Sequence, residues 1–78
     1  MWKTEKQIAE ELGITSCTVC RHISQMRGLD MFKDHIYGHG RATRVDMDAY
    51  WYWYNNRAAL REPEGRKWHE AEFRKEVR

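Results

Sequence analysis

Apolar positions along this chain recur in distinct rhythms, and each rhythm predicts an element. Ile8, Ala9 and Leu12 fall at i, i+1 and i+4, one face of a helix. Thr4-Glu5-Lys6-Gln7 before them is a capping box, and Gly13 after them suits a left-handed stop. These signals predict a first helix over about 5–12. Ile14 is a buried link, and Thr15 caps a second helix from Ser16 to about Arg27, with Val19, Ile23 and Met26 at i, i+4 and i+7. Its other face carries Ser16, Cys17, Cys20, Arg21, Ser24 and Gln25.

The rhythm then changes. Met31 to Tyr37 contains the strand formers Phe32, Ile36 and Tyr37, Gly38-His39-Gly40-Arg41 is a turn, and Ala42 to Val45 returns, predicting a hairpin. Asp46 caps a third helix, with Asp48 in the first turn where the dipole favours acid. Met47, Tyr50, Trp51, Tyr54 and Ala58 fall on one helical face. A strand competes over Tyr50–Tyr54, because aromatics favour sheets. The acids before this run and Asn-Arg-Ala-Ala-Leu after it favour the helix. Tyr52 and Trp53 then lie opposite the packed face, exposed or covered by the chain end. Large exposed aromatics mark contact surfaces, so Tyr52, Trp53 and Trp68 are candidate protein-contact residues.

Residues 63–78 follow the single proline and are mostly charged. Arg66–Glu70 and Glu70–Arg74 are four apart and support a helix, but Trp68, Ala71, Phe73 and Val77 form no clean stripe. The expectation is a marginal helix or a disordered end, separable from a folded domain over 1–62.

Composition narrows the class. At 78 residues there is room for one small domain, and 41% hydrophobic residues with 13% aromatics is too apolar for a disordered chain. The longest apolar run, Ala49 to Tyr54, is far short of the ~20 residues that span a bilayer. Met1-Trp2-Lys3-Thr4-Glu5 leads into polar sequence and does not read as a secretory signal, so the expectation is a soluble, cytoplasmic protein. Net charge is only +2, but its distribution is uneven. Thr15 to Leu29 holds two arginines and no acid, and His35 to Val45 holds two arginines, two histidines and no acid. Two such windows point to a localised anion-binding face.

The densest functional signal is Glu5 to Ser24. Two short helices meeting across Gly13-Ile14-Thr15 have the layout of a helix-turn-helix. Ser16, Cys17, Cys20 and Arg21 stay outward at the start of the second helix, the part of a recognition helix that reaches base edges. Ile8-Ala9-Glu10-Glu11-Leu12-Gly13-Ile14-Thr15, followed by Thr18-Val19-Cys20-Arg21-His22-Ile23, resembles winged helix-turn-helix proteins of phages and mobile elements. The nearest groups are excisionases with their regulatory relatives and the DNA-binding domain of phage small terminase subunits. Gly38-His39-Gly40-Arg41 stands where those families have their wing, and Asp46 to Tyr54 resembles the helix that follows it. The resemblance covers about residues 3–61 and departs at His22, where the class often has a bulky apolar or aromatic residue.

By role, the resemblance implies that Arg21 reads guanine or clamps a phosphate. It implies base or phosphate contacts for Ser16, Ser24 and Gln25, with Cys17 and Cys20 on the same surface. His39 and Arg41 at the wing suit the minor groove or adjacent phosphates, and Arg27, Lys33 and Arg44 would add backbone contacts.

Cys17, Cys20, His35 and His39 also read Cys-x2-Cys-x14-His-x3-His, inside the zinc-site range. Against a metal, Thr18-Val19 fits a helix interior, and the histidines straddle Tyr37-Gly38 rather than lying on a helix. Catalytic signatures are missing: the chain has no Gly-x-Ser-x-Gly, no phosphate-binding glycine loop and no convincing paired carboxylates.

The expectation is thus a mainly α domain with a small β-hairpin, a winged helix-turn-helix. It would bind double-stranded DNA without catalysis, cofactor or metal, as an excisionase-like or regulatory factor. The alternatives are a small terminase DNA-recognition domain and a winged-helix module for a protein partner such as a host-defence component. The exposed aromatics leave room for a homo-oligomer.

Overall fold

A computed structural model describes residues 1–76, apart from the side chains of Arg41 and Glu76. Val77, expected above to lie off any clean stripe, is outside the described residues.

The chain is mainly helical, with one small antiparallel sheet. The elements run β1 (Trp2–Thr4), α1 (Glu5–Leu12), α2 (Ser16–Arg27), a 3-10 segment (Asp30–His35), β2 (Ile36–Tyr37), a 3-10 turn (Gly40–Ala42), β3 (Arg44–Asp46), α3 (Met47–Asn55), α4 (Arg57–Leu60) and α5 (Pro63–Glu76).

The first two helices form where local signals place them. Gln7 N donates to Thr4 Oγ1 at 3.3 Å and Thr4 N donates to Gln7 Oε1 at 2.9 Å, closing the capping box. Gly13 ends α1 at φ 69°, the left-handed conformation that costs other residues a Cβ clash. Thr15 Oγ1 accepts from Thr18 N at 3.2 Å and opens α2. The inner faces then meet: Ile8 and Ala9 are buried against a helix that turns Val19, Ile23 and Met26 inward, and Leu12 and Ile14 pack at the edge.

The segment after α2 departs from the expected strand. Met31, Phe32, His35 and Ile36 are the sheltered positions while Lys33 and Asp34 are exposed, a helical spacing rather than an alternation. Phe32 N donates to Leu29 O at 3.1 Å, and the chain winds as a 3-10 helix up to His35. Only Ile36–Tyr37 remain as strand. They pair with β3, which covers Arg44–Asp46 rather than Ala42–Val45, because Gly40–Ala42 close a tight 3-10 turn first.

A third strand was not anticipated. Trp2–Thr4 pair with the other edge of β3, with Lys3 opposite Val45, giving the order β1-β3-β2. Val45 and Ile36 turn into the core, while Trp2, Tyr37 and Arg44 face out. The Trp2 and Tyr37 rings lie 5.0 Å apart, across the line of β3.

The third helix is capped as expected, with Asp48 N donating to Asp46 Oδ1 at 3.1 Å. Its buried face is different. Met47, Ala49, Tyr50 and Trp53 are buried, Trp51 is exposed, and Tyr54 is half-buried. The helix is covered from two directions, by α2 at His22 and by α5 at Phe73, so its buried arc is wider than one stripe. The helix stops at Asn55 and restarts at Arg57, which breaks the register that had put Ala58 inside. Leu60 is buried instead.

The charged C-terminal segment is helical over Pro63–Glu76 and contributes to the core. Phe73 is 1% exposed, edge-on to Phe32 at 4.9 Å and against Tyr52 at 5.1 Å. The expectation of a separable tail gives way here: one aromatic in a polar helix completes the packing of the 3-10 segment and α3. No helix among the described residues is long and apolar enough to cross a membrane.

Candidate nucleic-acid interface

The packing of α1 on α2 decides which side of α2 faces water. With Val19, Ile23 and Met26 inward, a turn of ~3.6 residues places Cys17, Arg21 and Ser24 at the centre of the outer face. Ser16, Cys17, Cys20, Arg21, Ser24 and Gln25 are all exposed, so the residues expected to share this face do share it. Ser16 lies at the end near Thr4, Glu5 and Lys6. Gln25 lies on the flank toward α4.

Arg27 links this helix to the hairpin. Its Nη2 donates to Gly38 O at 2.7 Å, with Thr43 Oγ1 at 3.5 Å. Thr43 is the buried polar residue of the core, 1% exposed, and Arg27 covers it. The guanidinium expected to reach a phosphate therefore braces the hairpin against the last turn of α2. Gly38 holds φ 83°, and a Cβ there would come within 2.5 Å of Ala42 O, so the hairpin closes through backbone contact.

The remaining hairpin residues are distributed around that closure. His39 is exposed beside the 3-10 turn, and Arg44 is exposed on the outer face of β3. Arg41 has its backbone in the turn, but its side chain lies outside the described part. Lys33 is exposed on the 3-10 segment, and no described contact ties it to the outer face of α2. Among the described residues, no carboxylate lies within ion-pair distance of Arg21, Arg27 or Arg44.

The expected protein-contact aromatics separate. Trp53 is 2% exposed and packed on His22 at 5.0 Å, so it is a core residue covered by α2 and not the surface residue expected. Tyr52 is half-buried under α5, where its hydroxyl meets His69 Nδ1 at 2.9 Å. Trp68 remains exposed, and Trp2 and Tyr37 are exposed aromatics that the sequence reading missed. Their exposure follows from the sheet, where Trp2 and Tyr37 sit on the outer face on either side of β3.

His22 sits under the same face. Its Nδ1 is 2.8 Å from Tyr50 Oη. Burial, with Arg57 nearby, pushes the imidazole below the ordinary histidine range. Burial, then the neighbouring Tyr54, pushes the Tyr50 phenol up to about 12, while Arg57 pulls against this. The phenol therefore donates and a neutral imidazole accepts.

The cysteines and histidines do not converge. Cys17 and Cys20 are free and exposed on α2, whereas His35 Nδ1 is 3.0 Å from Asp46 Oδ2. No group of three or more His, Cys, Asp or Glu side chains among the described residues is placed to hold a metal ion.

No family model, curated protein or solved structure matches this chain.

Proposed function

We propose that this chain is a winged helix-turn-helix protein that binds double-stranded DNA without catalysing a reaction. Its class would be the excisionase-like or regulatory factors of a phage or mobile element, acting in the cytoplasm or nucleoid of the host cell. The observation that carries the reading is the exposed, acid-free outer face of α2, fastened through Arg27 to a hairpin bearing His39, Arg41 and Arg44. In this reading α2 is the recognition helix, seated in the major groove with Arg21 at base edges. The hairpin is the wing and contacts phosphates or the adjacent minor groove.

Selection of bound duplexes from a random pool, followed by hydroxyl-radical footprinting, tests the docking. The expected result is a short enriched motif with protection extending to one side of it. Arg21→Ala should relax preference at one base position, and Arg41→Ala should weaken binding to all sequences alike. A pool that emerges unenriched and unprotected would contradict the proposal. The exposed Trp2–Tyr37 pair and Trp68 would then favour a protein partner.

A further inference from the structure

Arg57 opens the short helix α4 and Arg61 caps its C-terminal end, four residues apart and both exposed. Like charges at that spacing repel along a helix. No carboxylate among the described residues lies within ion-pair distance of either. Glu62 and Glu64 line a separate cleft with Ala59, Pro63 and Gly65.

Both arginines border a cleft of about 180 Å³ whose other walls are Gln25, Leu29, Trp53 and Leu60. Gln25 belongs to the outer face of α2, so this cleft continues that face toward α4. On the far side both arginines also border a second cleft, with Tyr54, Asn55 and Ala58. They therefore form the ridge between the two clefts. The Arg57 guanidinium is held in place, 4.2 Å from the centroid of the Tyr54 ring. A guanidinium resting on an aromatic face, without a carboxylate partner, keeps its N–H edge available for an oxygen anion.

We infer that Arg57 and Arg61, with Gln25 of α2 beside them, form a second backbone-binding element that grips two neighbouring phosphodiesters of duplex DNA on the side of the recognition helix away from the wing. This rests on the DNA-binding reading above and extends it. DNA would be held at three places: the hairpin, α2 and α4. A polyanion relieves the repulsion between the two arginines, and a planar guanidinium matches phosphate oxygens in pairs.

The test uses the full chain and a 30-bp duplex of random sequence, with affinity followed across a salt series. In R57A/R61A the slope of log K against log salt should shrink by about 2, one for each lost phosphate contact, with base preference in a selected site unchanged. R57K/R61K should recover most of the slope, because lysine still binds phosphate as a point charge. R61E, which leaves the Arg57–Tyr54 stack intact, should lower affinity at low salt at least tenfold while the thermal midpoint holds. Should the parent bind with a steep slope and both R57A/R61A and R61E keep that slope, this inference fails and the DNA-binding reading stands. A parent that does not bind the duplex overturns both.

Discussion

His22 on α2 and Tyr50 on α3 share a hydrogen bond of 2.8 Å beneath the outer face of α2. Tyr50 is fully buried, and its phenol, raised to about 12, stays protonated and donates. A neutral imidazole can accept at Nδ1, but a protonated one cannot. Because the folded-state pKa of His22 is lowered, the unfolded chain takes up its proton first as pH falls. The contribution of His22 is therefore fully present above its unfolded pKa and is lost as pH falls through the folded one. Urea unfolding midpoints should decline as pH falls below the ordinary histidine value of about 6.5, and His22→Gln should flatten that decline. Parallel profiles for parent and variant would show that His22 is not the group responsible.

Phe73 sets the second expectation. It lies in an otherwise polar helix yet meets Phe32, His35 and Tyr52, with ring centroids 4.9, 5.0 and 5.1 Å away. Phe73→Ala should cost about 3–5 kcal/mol, as for other buried phenylalanines. Trp68 is five residues earlier on the same helix but 61% exposed, so Trp68→Ala should change stability by no more than about 0.5 kcal/mol. Equal effects would mean that α5 is not docked through Phe73.

These two aromatics show what was legible in the sequence and what was not. Caps and periodicity act locally, so Thr4, Gly13, Thr15 and Asp46 placed α1, α2 and the start of α3 to within a residue. The outer face of α2 followed directly, because a helix with one apolar stripe has only one way to face water. Phe73 could not be read this way, since its partners come from Phe32 and Tyr52, distant in sequence. Trp53 was misplaced for the same reason: cover from both α2 and α5 widened the buried arc of α3. β1 escaped because Trp2–Thr4 are too short to show alternation, and their strand identity comes from the free edge of β3. The brace from Arg27 to Gly38 is likewise a long-range bond that charge alone does not announce.

Gly38 offers a test of that brace. Its φ of 83° and the approach of Ala42 O leave no room for a Cβ. Gly38→Ala should destabilise the fold by about 1–3 kcal/mol through backbone strain. Amide exchange should speed up over Gly38–Thr43, the stretch that Arg27 holds. Unchanged exchange in that stretch would mean that the hairpin is closed by other contacts.

A chelator checks the cysteines. Because Cys17 and Cys20 project from α2 and His35 is engaged by Asp46, EDTA should leave the thermal midpoint unmoved. Loss of cooperative unfolding on chelation would place a structural metal in the fold, since such sites couple binding to folding.

The central claim is that the outer face of α2 meets DNA, and the most direct measurement is the salt dependence of duplex binding in the parent and in Arg21→Ala. Arg21 is exposed at the middle of that face, outside the apolar stripe. The parent should bind a selected duplex with log K falling linearly against log salt, and Arg21→Ala should keep its thermal midpoint while losing about 1–3 kcal/mol of affinity for that duplex. A parent whose affinity ignores salt, or an Arg21→Ala variant that binds the selected duplex as the parent does, would contradict it.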